Sequence, residues 1–135
     1  MSYNIKEIEG IGPAYADKLA GADITTTEAL LAACKTPAMR SQLAETTGFE
    51  TRTLLDWANK CDLMRINGVG EEYSDLLEES GVDTVKELAT RNTENLIAKM
   101  AEVNEEKNLV NALPSQATVE GWIEQAGGME AMLEY

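Results

Sequence analysis

Apolar residues recur along the chain at three- and four-residue intervals, the spacing that lines one face of an α-helix. Leu54, Trp57, Ala58 and Cys61 fall at i, i+3, i+4 and i+7, and Val119, Trp122, Ile123 and Ala126 repeat the same template. No segment alternates apolar and polar positions with period two for long enough to make a sheet. The pattern predicts helices over about 13–22, 26–34, 37–47, 51–64, 71–80, 84–91, 94–104 and 115–127, with short turns before the glycine-rich segments. The expected fold is all-α, built from about eight to ten short helices.

The chain also matches itself. The segment from Ile8 to Leu19 aligns with Ile66 to Leu77 at an offset of 58, and Ile24, Thr26 and Leu30 continue the match onto Val82, Thr84 and Leu88. The Leu54–Cys61 template meets its copy at an offset of 65, so the second copy carries seven extra residues, placed between Leu88 and Val119 with the polar stretch Asn104–Asn108 as the candidate site. The organisation expected is one compact domain over 1–135, made of pseudo-repeats at about 5–64 and 65–127. Residues 128–135 follow as a tail that reads as a frayed end or a short sticky segment.

Local chemistry supports helices joined by tight turns. Gly10 and Gly12 precede Pro13, which suits a first helical position, and Gly68 and Gly70 recur in the second copy. Gly81 is placed to end a helix in the left-handed conformation, a role that Asp23 must fill in the first copy. Thr84-x-x-Glu87 and Thr25-x-x-Glu28 fit capping boxes that are displaced by one position between the copies, and Thr36-Pro37 and Pro114-Ser115 mark further helix starts.

The run hydrophobic-x-Gly-hydrophobic-Gly, followed by a small or aromatic residue and then Leu, resembles the helix-hairpin-helix motif. Over nearly the full length, including Asp62–Ile66 and the Val119-x-x-Trp122-Ile123 helix, the chain is similar to an uncharacterised bacterial family of tandem helix-hairpin-helix proteins, described only as a domain of unknown function. The resemblance implies a phosphate held by backbone N–H groups at a helix N-terminus. Carried onto this chain, that role falls on Gly10, Ile11 and Gly12 with Lys18 in the following helix, and on Gly68, Val69 and Gly70. In the second copy Glu71 and Glu72 place carboxylates where the anion would dock.

Charge changes the functional picture. The 135 residues include 11 Lys+Arg against 24 Asp+Glu, a net charge of -13, with no His and two Cys. The lack of histidine removes Ser-His-Asp, Cys-His and His-ligated metal chemistry, so no catalytic residue, metal or cofactor is expected. Cys34 and Cys61, outside any C-x-x-C pattern, read as reduced, buried small hydrophobes. Tyr15, Tyr73, Trp57 and Trp122 read as packing residues, and Glu71, Glu72, Asp75, Glu78 and Glu79 as a solvated acidic face. Residues 1–65 carry seven basic and nine acidic side chains, net -2, whereas 66–135 carry four and fifteen, net -11.

The candidate basic contacts are Lys6, Arg40, Arg52, Lys60 and Arg65, and whether the last four share a face is left open by the sequence. The expected function is a non-catalytic acidic helical interaction module that binds a protein partner. The alternative is weak, non-sequence-specific nucleic-acid binding through the first hairpin. Without a signal-like or membrane-spanning apolar run, a cytoplasmic location and no membrane contact are expected; the oligomeric state is unknown.

Overall fold

The fold is that of a computed structural model, which describes residues 3–8 and 10–135. Met1, Ser2 and Glu9, parts of the expected domain span and first hairpin, lie outside the described residues. Among those described, eight α-helices follow a short 3-10 turn at Ile5–Glu7: α1 Pro13–Ala20, α2 Thr27–Ala33, α3 Pro37–Thr47, α4 Thr51–Leu63, α5 Glu71–Glu79, α6 Val85–Leu88, α7 Thr93–Lys107 and α8 Gln116–Gly127. No strand is present among them; the nearest approach is one antiparallel bridge between Asn4 and Thr26. The all-α expectation holds.

Helix starts follow side-chain caps. Thr26, Thr36, Thr84, Asn92 and Ser115 each accept a hydrogen bond from the backbone N–H three residues on. The expected Thr25–Glu28 box is corrected by one residue: Thr26 Oγ1 accepts from Ala29 N–H at 3.1 Å, which restores the register with Thr84. Asp23 takes positive φ (64°) at the position matching Gly81 (91°), as the alignment required. The N–H groups of Ile24 and Val82 then donate to Leu19 O and Leu77 O, both at 2.9 Å.

The stretch between Leu88 and Val119, where the sequence match leads one to expect seven extra residues, holds α7 and the connector behind it. Helix α7 has 15 residues where α3 has 11. Asn104 closes the longer connector on itself, its Nδ2 donating to Val110 O and its Oδ1 accepting from Val110 N–H at 3.2 and 2.9 Å.

Two hydrophobic clusters form. The first gathers Leu19, Leu30, Leu31, Cys34, Leu54, Trp57 and Cys61; the second gathers Leu76, Leu77, Leu88, Leu96, Met100, Val119 and Trp122. Helix α4 belongs to both, since Leu54, Trp57, Ala58 and Cys61 face the first while Leu63, at its end, enters the second. Each fully buried Leu contributes on the order of 1.5–3 kcal/mol.

The tryptophans anchor the glycine turns. Gly10 and Gly68 have φ of 93° and 90°, and a Cβ on them would lie 3.4 Å from Trp57 Nε1 and 3.3 Å from Trp122 Nε1. Gly81 shares the positive φ but has nothing within 4 Å of such a Cβ. We therefore expect Gly81→Ala to cost the left-handed backbone penalty, about 1–2 kcal/mol, and Gly68→Ala to cost more because Trp122 must shift. Urea denaturation of the two variants checks this, and equal losses would show that the indole contact is slack. Trp57→Ala, which empties a site with 5% exposure, should cost about 3–5 kcal/mol.

Candidate functional site

The two glycine turns present matching backbone. Ile11 and Val69 donate their N–H groups to Ile8 O and Ile66 O at 3.1 Å, and both side chains are buried, so they anchor the turns and do not face a ligand. Gly12 and Gly70 are the N-caps of α1 and α5, in extended backbone and without a side-chain cap. The first turns then differ. Pro13 begins α1 with no acidic residue, whereas Glu71 and Glu72 begin α5. Carboxylates there complement the helix dipole and oppose an incoming anion.

An aromatic shelf lies beside the first turn. Tyr15 meets Phe49 edge-on at 5.1 Å between centroids, and Phe49 meets Trp57 in the same manner at 5.0 Å. Lys18 Nζ sits 5.5 Å from the Phe49 ring centroid, a cation–π approach that holds an exposed cation next to half-exposed Tyr15. In the second copy Tyr73 packs on Trp122 at 5.3 Å and donates its hydroxyl proton to Ala112 O. Phe49 lies outside both repeat alignments, so its part in the shelf had no sequence signal.

The candidate basic residues do not form one patch. Lys6 and Arg52 are exposed. Arg40 is buried, its Nη1 donating to Cys34 O at 2.8 Å and its Nη2 to Glu134 O at 2.8 Å. Lys60 lies 3.1 Å from the Asp75 carboxylate. Arg65 pairs with Asp62 at 3.1 Å and donates to Glu130 O. Lys60 and Arg65 are paired with carboxylates, whereas Arg40 is held by backbone carbonyls alone, so none of the three stands as an exposed, uncommitted cation.

The acidic face is corrected in the same way. Asp75 is buried against Lys60 and Glu79 pairs with Lys107 at 2.8 Å, so the run on α5 is not uniformly solvated. Burial raises Glu78, with Lys60 partly offsetting it. Among the described residues no group of three or more Cys, Asp or Glu is placed to hold a metal ion. Cys34 and Cys61 are free and buried; burial pushes the Cys34 thiol up to about 11, and that of Cys61 up further.

The C-terminal residues are not a frayed end. Glu134 N–H donates to Lys35 O at 2.8 Å, Leu133 is buried in the first cluster, and the Tyr135 hydroxyl donates to Asn59 Oδ1 at 2.7 Å. With Arg40 and Arg65 gripping its carbonyls, this segment runs back from the second half onto the first. Its bonds are mostly backbone ones, which leave no trace in side-chain periodicity.

Asp62 ties the halves at the same place. Its Oδ2 accepts from Val85 N–H at the start of α6 at 2.9 Å, while Oδ1 takes Arg65. Burial raises its carboxyl above the ordinary range, against the Val85 bond and Arg65. A raised acid binds its proton more tightly folded than unfolded, so its contribution to stability falls as pH climbs from the ordinary carboxylate range through the raised one. The stability difference between wild type and Asp62→Asn should therefore drift against wild type over that interval. Paired urea titrations at several pH values read it; a flat difference would mean that Asp62 is not shifted.

No curated protein and no solved structure matches the chain. Among the described residues no helix is long and apolar enough to cross a membrane. The family model for a domain of unknown function (DUF4332) matches residues 9–129, and the chain belongs to that family.

Proposed function

We propose that the protein is a non-catalytic helical interaction module whose acidic second half binds a protein partner with a basic surface. The observation that carries this reading is the internal use of the basic residues. Arg40, Lys60 and Arg65 are engaged by carbonyls and carboxylates of the fold, and, apart from Glu79 with Lys107 and Glu87 with Arg91, the exposed acids of residues 66–135 have no ion-pair partner among the described residues. Glu102, Glu105 and Glu106, at i, i+3 and i+4 on α7, are all exposed. Such a face attracts cationic surfaces and speeds their encounter.

A second reading rests on the difference between the glycine turns. In a helix-hairpin-helix arrangement the uncapped start of α1, with Lys18 nearby and no first-turn acid, suits one phosphate. Lys18 and Lys6 would neutralise about two phosphates, a log–log salt slope of about -1.8. The net charge of -13 opposes even that.

Affinity capture from the source cell's extract, with and without nuclease, separates the readings. The expected bound protein is retained after nuclease, released by salt, and lost with the triple variant Glu102→Lys, Glu105→Lys, Glu106→Lys. Nuclease-sensitive capture would overturn the protein-partner reading. Mobility-shift assays on duplex DNA should show no complex at physiological ionic strength. A persistent complex, strengthened by Glu71→Ala with Glu72→Lys, would put the phosphate reading first.

A further inference from the structure

An open cleft of about 580 Å³ lies where the starts of α3 and α4 meet the loop before α6 and the C-terminal segment. That volume is in the range of small-ligand sites. Its lining carries both signs of charge: Arg40 and Arg52 on one count, Asp56 and Asp83 on the other.

Arg40 is the anomaly. It is 5% exposed, yet its protein partners are the carbonyls of Cys34, Lys35 and Glu134, with no carboxylate within 4.0 Å among the described residues. A guanidinium has five N–H donors, so Nε–H and one N–H of Nη2 are left without an acceptor among the described residues. The Nε atom is not sealed from solvent, and a guanidinium that lines a cleft with a free donor and no counter-ion favours an oxoanion. Arg52 adds an exposed guanidinium to the same cleft, and α4 begins there with no side-chain cap on its first N–H groups.

The acids have the opposite need. Neither Asp56 nor Asp83 has a cation within 4.0 Å among the described residues. Burial, then Glu87 and Asp56, hold the Asp83 carboxyl above its usual range, and Arg91 offsets only part of this. A simple anion entering the cleft meets these carboxylates, and a simple cation meets the arginines.

We propose that this cleft binds a small zwitterion, its oxoanion held by Arg40 and Arg52 and its ammonium group by Asp56 and Asp83. The site is separate from the acidic face of α7 and does not depend on the protein-partner reading.

Glycine, 4-aminobutyrate and 6-aminohexanoate, which differ in charge separation, are the probes, with acetate and methylamine as single-charge controls. They are titrated into the full chain and followed by amide NMR. At least one zwitterion is expected to give saturable shifts centred on Ser41, Thr51 and Asn59, while neither control saturates. Arg52→Ala and Asp83→Asn, each first shown to keep the wild-type spectrum away from the cleft, should weaken binding about tenfold or more. Arg40 is left intact because it holds the C-terminal segment. Absence of saturation by every zwitterion, acetate binding as tightly as the best of them, or unchanged affinity in Arg52→Ala would each overturn the proposal.

Discussion

The contact between a positive-φ glycine and an indole nitrogen is the constraint from which both halves are built. A turn that presents Gly10 or Gly68 at φ near 90° lets the closing tryptophan come to within 3.4 Å of where a Cβ would stand. Each tryptophan is thereby set against the start of its own half, although it lies more than forty residues later in the chain. Ile11 and Val69 then enter the core on one side of the turn while α1 and α5 leave on the other. Any side chain at the glycine would meet both a backbone penalty and a steric one.

Helix α4 makes one object of the two clusters. It closes the first with Trp57 and opens the second with Leu63, and its last turn carries Asp62, which receives the start of α6. The C-terminal segment adds a second tie, from Glu130 at Arg65 to Tyr135 at Asn59. These ties use polar groups at the junction between two apolar clusters, where hydrogen bonds fix position more sharply than non-directional burial does.

The same junction consumes charge. Lys60 and Arg65 are taken up by carboxylates, and Arg40 holds the C-terminal segment from a buried position, so the three form no exposed patch for a polyanion. What remains outside includes an acidic half, a first turn with Lys18 exposed over an aromatic ring, and a cleft of mixed sign. The protein-partner proposal follows from that redistribution of charge more than from the bare total.

Local rules made much of this protein legible in its sequence. Apolar periodicity, N-caps, the forced left-handed residue Asp23 and the offset of 58 all act within a few residues or repeat by copy, so the helices, both glycine turns and the buried tryptophans could be written down without coordinates. Even the one-residue error at Thr25 arose from two adjacent threonines that compete for the same cap. The fates of Arg40, Lys60, Arg65 and Asp75, the shelf around Phe49 and the docking of residues 129–135 were decided only by tertiary structure. Each depends on partners far away in sequence, often backbone carbonyls that every residue possesses, and no pattern of side-chain types along the chain encodes which carbonyl an arginine will find.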